Sequence, residues 1–110
     1  MMEHIKLLNY PEKSIRRGRV FRLPAVWPYE DIVDFMVIDL AHTHGLVVSS
    51  GFKAGSMLVE LPSESASSEG HALSTEWVIN NWAKWIYPEC AVEDVYIIDQ
   101  YTVTAFGQIK

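Results

Sequence analysis

The sequence predicts an α+β domain built on an antiparallel sheet, and three observations point there. Short runs that alternate polar and apolar residues, or are rich in β-branched ones, stop at proline or glycine in the manner of strands. Two longer stretches carry apolar residues at helical spacing. The segments follow one another as β-α-β-β-α-β-β, and the first six match the split βαβ, ferredoxin-like order, with both helices on one face and an added edge strand. A chain of 110 residues makes a single domain, 1–110, whose core needs no staples.

Taken in order, residues 4–8 are compatible with a short edge strand. Residues 19–23, Arg-Val-Phe-Arg-Leu, alternate polar and apolar and stop at Pro24, which predicts a half-buried strand. Residues 29–44 are expected to be helical. Pro28 suits a first helical position, Glu30 and Asp31 suit the positive end, and Gly45 suits the C-terminal cap. Val33, Met36, Val37 and Leu40 then share one face, and Phe35, Ile38 and His42 the opposite one. Such a helix must bury both sides or lend one to a partner. Residues 46–50 and 56–61 read as two strands joined by a hairpin connection at 52–55, where glycine supplies the unusual dihedral. The segment 63–70 is rich in serine and glycine and reads as an exposed loop. A second helix is expected after Ser74, a good N-cap, with Glu76 in its first turn, running to about Ile86 before Pro88. Val78, Trp82, Trp85 and Ile86 share one face, while Trp77 lies well round from it, near Asn81 and Lys84. Residues 95–98 and 101–106 read as two closing strands with a tight turn near Asp99 and Gln100.

Composition excludes several classes. An apolar fraction of 49% is too high for an intrinsically disordered chain. No apolar run approaches the ~20 residues that span a bilayer. The amino terminus offers no secretory pattern, so a cytoplasmic location is expected. Cys90 is the one cysteine, which excludes an internal disulfide framework. The net charge of −5 argues against general binding to nucleic-acid phosphates. The charge is uneven: residues 1–55 are nearly balanced at +1, whereas residues 56–110 carry 2 basic against 8 acidic side chains, a net of −6. An acidic half of this kind attracts a basic partner and speeds the encounter.

Candidate chemistry is sparse. His42 and His44, two apart on an expected helix, point in different directions and do not converge on one metal ion; a role at a helix C-terminus fits them better. Cys90 has no local base and reads as a small buried apolar residue. Residues 51–56, Gly-Phe-Lys-Ala-Gly-Ser, lack phosphate-loop spacing and fit a hairpin. No metal or cofactor is expected. Arg16, Arg17, Arg19 and Arg22 form a basic, partly aromatic segment. Pairing with the chain's own carboxylates, or charge protection of an edge strand, explains it better than nucleic-acid contact. Spread acidity fits a docking surface better than a catalytic pair. Of the four tryptophans, Trp27, Trp82 and Trp85 are expected in the core. Trp77, near carboxylates, is either an interface anchor or packed under the 63–70 loop.

Four segments carry a resemblance. They are Tyr10-Pro-Glu, Arg16-Arg-Gly-Arg-Val-Phe-Arg-Leu-Pro-Ala-Val-Trp-Pro-Tyr29, Gly45-Leu-Val-Val-Ser-Ser-Gly-Phe-Lys-Ala-Gly55 and Asn81-Trp-Ala-Lys-Trp-Ile-Tyr-Pro-Glu-Cys90. Over roughly Tyr10 to Tyr101 the chain resembles the small immunity proteins of bacterial polymorphic-toxin systems, including contact-dependent growth inhibition. The resemblance implies a non-enzymatic cytoplasmic inhibitor that binds one cognate toxin domain tightly and covers its active site, in many cases that of a nuclease with a basic cleft. On this reading Glu64, Glu69 and Trp77 are the expected contacts, with Glu60, Glu93, Asp94 and Asp99 as further candidates. The alternative is a small RNA- or ligand-binding α+β module, which would need aromatics on an open sheet face beside the arginines. A small enzyme built around Cys90, or around His42 and His44, would need a formed cleft.

Overall fold

The structure, a computed structural model, describes residues 4–99. The chain is α+β, as expected, and its main sheet is antiparallel throughout. Its strands are β1 (Ile5–Lys6), β3 (Val20–Pro24), β4 (Ile32–Asp39), β5 (His44–Val48), β6 (Met57–Glu60) and β8 (Tyr96–Ile98), lying side by side in the order β1-β8-β3-β4-β5-β6. A separate two-stranded ribbon pairs β2 (Ser14–Arg16) with β7 (Ala72–Ser74). One α-helix, α1 (Thr75–Asn81), is present among the described residues, extended by a π-turn at Trp82–Ile86. The expected closing strand at 101–106 lies outside the described residues.

The first expected helix, 29–44, is not a helix. Its centre is β4, the longest strand, and the ferredoxin-like order with two helices is not found. The physical reason lies in the packing. Val33, Phe35 and Val37 are buried and point to one side, facing Leu23, Phe21, Val48 and Leu46 on the neighbouring strands. Ile32, Asp34, Met36 and Ile38 alternate to the other side. With apolar residues on both sides, periods of 2 and 3.6 fit a short window almost equally well. Four β-branched residues then favour the pleated surface. Asp34 is buried because Arg22, directly across the ladder, grips it with Nε–Oδ1 at 2.8 Å and Nη2–Oδ2 at 2.9 Å.

Gly45 is therefore not a helix cap. It sits inside β5 between Ile38 and Glu60. A Cβ there would lie 2.9 Å from Leu40 Cδ1 and 3.0 Å from the Val59 carbonyl oxygen. Glycine is needed for close approach of the strands. The 49–56 connection is the expected hairpin turn, with Gly51 and Gly55 at φ of 72° and 96°.

The helix after Ser74 forms as predicted. The Ser74 Oγ accepts from the Trp77 N–H at 3.1 Å, a standard N-cap. Val78, Trp82 and Ile86 are buried against the sheet, and the Trp82 ring meets Phe21 edge-on with centroids 5.4 Å apart. The π-turn closes with the Tyr87 N–H on the Trp82 carbonyl at 3.0 Å. Residues 63–70 are only partly the exposed loop expected. Ser63–Ser65 is a 3-10 turn whose Ser65 is fully buried, its hydroxyl donating to the Pro62 carbonyl at 2.7 Å.

Strand directions give the molecule two ends. β4 starts beside Pro24 and finishes beside His44. Eight residues of strand separate these ends by about 25 Å. The end near Asp39 and His44 also holds the 63–71 segment, since Ser63, Ala66 and His71 share a hollow with Asp39 and His44. The other end holds the 25–31 and 49–56 turns.

Candidate partner-binding site

At the 39–44 end, the turn Ser63–Ser65 projects Glu64 outward. Its Oε2 accepts from the Trp77 indole N–H at 3.4 Å, and the Trp77 ring lies tilted against Trp85 at 6.1 Å. Trp77 is thus half-buried beside the turn. Glu69 is exposed, with Oε1 accepting from the Ser14 hydroxyl at 2.8 Å, and Ser14 and Ser67 share a further bond of 2.6 Å. This bridge ties the 63–70 segment to the ribbon. Beside it runs an open groove of about 690 Å³ whose lining includes Tyr10, Glu12, Glu69, Glu76 and Ile79. Asp99 stands 3.4 Å from Arg19, and Glu60 is exposed on the edge strand β6.

Glu93 and Asp94 lie elsewhere, exposed on the 3-10 turn Val92–Asp94 near Cys90. The structure therefore joins Glu64 with Trp77, sets Glu69 on the groove, and separates these from Glu93 and Asp94.

The remaining sequence candidates resolve in physical terms. Cys90 is buried, and its thiol pKa is pushed up by desolvation and then by Asp94 and Glu93. A nucleophile needs the reverse shift. His44 opens β5 rather than closing a helix, with Nε2 3.2 Å from Asp39 Oδ1; Arg17 holds the other Asp39 oxygen at 2.9 Å. Among the described residues no three His, Cys, Asp or Glu side chains are grouped to hold a metal ion. Three of the four arginines face the chain's own carboxylates: Arg17 with Asp39, Arg19 with Asp99 and Arg22 with Asp34. Phe21, the aromatic of that segment, is wholly buried, so it presents no ring to a base. Among the described residues no helix is long and apolar enough to cross a membrane.

Sequence reasoning missed Trp27. Expected in the core, it is 88% exposed, more than any other large apolar residue among those described. Val26, Ile32 and Phe52, exposed at the same end, were also missed. The available signal was Pro24 and Pro28 bracketing residues 25–27, which marks a turn and not a core segment.

With the geometry in place, comparison with known proteins gives one finding. The model of the family described as Immunity protein 45 matches residues 7–97, from the first 3-10 turn to the last strand. No curated protein and no solved structure matches the chain. The match covers most of the sequence and nearly every element of the fold, and the chain belongs to the Immunity protein 45 family.

Proposed function

We propose that this chain neutralises a cognate protein toxin by tight stoichiometric binding, with no catalysis of its own. The family match over residues 7–97 carries this reading. The finer reading is a cytoplasmic inhibitor of a nuclease toxin domain, of the contact-dependent growth inhibition kind, that occludes a basic active-site cleft. The exposed carboxylates support it. Glu64 and Glu69, with Trp77 beside them, are the foremost contacts, and Glu60, Glu93, Asp94 and Asp99 add to the acidic surface. These groups stand in for substrate phosphates, and their field draws a basic partner in.

The test is co-expression with the toxin domain encoded by the adjacent gene, followed by pull-down and a growth assay. A one-to-one complex with rescued growth is expected. Growth arrest without a complex would refute the reading. Within a complex, Glu64→Lys with Glu69→Lys is expected to slow association at low salt. Unchanged association would remove those two residues from the surface.

A further inference from the structure

The end of the sheet opposite Glu64 carries an apolar surface that the acidic contacts above do not explain. Val26, Trp27, Ile32 and Phe52 are exposed there by 52%, 88%, 60% and 76%. They occupy two neighbouring turns, 25–31 and 49–56, and the start of β4. Glu30 joins the turns, its Oε2 accepting from the Phe52 N–H at 3.2 Å.

The loop that presents Trp27 is well fixed. The Ala25 N–H bonds to the Asp31 carbonyl at 2.8 Å, and the Tyr29 N–H to the Val26 carbonyl at 3.0 Å. The Val26 N–H donates to the Tyr87 hydroxyl at 3.1 Å. Tyr29 packs edge-on against both Phe35 and Tyr87, with centroids 5.9 and 6.0 Å apart. Five contacts thus order the loop around a tryptophan left in solvent. A large apolar side chain held ready on a rigid loop binds at low entropic cost. Aromatic residues of this kind dominate binding energy at interfaces.

The charge around the patch selects the occupant. Asp31 and Glu30 are exposed in the first turn, and Glu89 and Asp94 line a hollow of about 230 Å³ that includes Val26 and Cys90. Against these four carboxylates stands Lys53, 5.7 Å from the Phe52 ring. A second copy docking here about a twofold axis would set the carboxylates against their own duplicates. A partner with an apolar pocket rimmed by lysine or arginine complements the patch.

We infer that Trp27 and Phe52, on the joined 25–31 and 49–56 turns, form the apolar anchor by which the chain holds a basic-rimmed pocket on its toxin. This rests on the proposed function and adds to it the surface that governs residence. The acidic 63–70 end governs approach; the Trp27 end governs release, because desolvated apolar anchors act mainly on dissociation.

The experiment uses the full chain and the adjacent gene's toxin domain, with its activity abolished by substitution, in surface-binding kinetics. Trp27→Ala is expected to speed dissociation about thirtyfold or more, with association changed less than about threefold. Phe52→Ala acts in the same direction, and Trp27→Phe restores part of the loss. Unfolding midpoints of these variants are measured alongside. Dissociation indifferent to both alanine variants, in a complex that forms with the wild-type chain, overturns the inference alone. Absence of any wild-type complex overturns the proposed function, and the inference with it. Self-association of the chain that Trp27→Ala abolishes also overturns the inference, because a second copy would then be the occupant.

Discussion

The two ends of the sheet use their side chains in opposite ways. At the end with Asp39 and His44, polar groups answer one another within the chain. Asp39 takes Arg17 and lies beside His44, the Thr43 hydroxyl donates to the Leu61 carbonyl at 2.8 Å, Ser14 bridges to Ser67 and Glu69, and Glu64 takes the Trp77 indole. At the other end, the backbone is tied down by hydrogen bonds as well, yet Trp27 and Phe52 stand largely in solvent. The first end spends its chemistry on closing the 61–74 segment over the ribbon. The second keeps a rigid frame and leaves its largest apolar groups to water. The two ends thus differ in how far their side chains are used up inside the chain, and substitutions should separate the two uses.

The largest effect on stability is expected at the first end. Gly45→Val sets a branched side chain against Leu40 Cδ1 and the Val59 carbonyl. Leu40 can turn aside, but the Val59 carbonyl belongs to a paired strand and cannot. A loss of about 1–3 kcal/mol is expected from urea unfolding. Unchanged stability would mean that the β5–β6 pairing, whose register shifts between Leu46 and Val47, absorbs the extra bulk. Next, Ser74→Ala removes the N-cap acceptor from the Trp77 N–H and is expected to cost about 1 kcal/mol. That change also loosens Trp77 beside Glu64, which intrinsic fluorescence would report.

Cys90, near the second end, gives a pH test. Burial, then Asp94 and Glu93, hold its thiol proton to a higher pH than in the unfolded chain. The unfolded state therefore releases its proton first. Stability from this source is intact below the ordinary thiol range, about pH 8.5, and declines as the pH rises through the folded pKa. Cys90→Ala should flatten that alkaline limb in urea titrations. Alkylation of the native thiol at neutral pH should be slower than that of free cysteine, and a fast reaction would contradict the buried placement. The smallest stability effects are expected at the tips. Trp27→Ala and Phe52→Ala should shift stability by less than about 0.5 kcal/mol in thermal melts. A larger loss would show that the exposed rings pack on the fold after all and would blur the contrast between the ends.

Much of the fold was legible where one local signal outweighed its rivals. The strand ending at Pro24, the glycine-bearing hairpin and the Ser74-capped helix each rest on short-range chemistry that the amino acids carry with them. The segment 29–44 was misread because its pattern supports two periods, and only the partners on either side choose between them. The ribbon of β2 and β7 escaped notice because three-residue strands more than fifty positions apart carry no local signature. In the candidate site, the acidic residues were readable as residues, but their grouping was not. Glu64 and Trp77 meet because a buried Ser65 turns the chain there, while Glu93 and Asp94 fall to the other end because α1 and the π-turn carry the chain across the sheet.

The sequence by itself determined the α+β class, the Ser74 cap, the glycine-bearing hairpin, the absence of a disulfide framework and the acid excess of its second half. Each of these follows from composition or from contacts a few residues long. Tertiary structure alone decided that 32–39 is a strand, that three arginines are occupied by carboxylates, and that Trp27 stands in solvent while Trp82 lies in the core. Burial is a property of what surrounds a side chain, and residues far along the chain supply those surroundings.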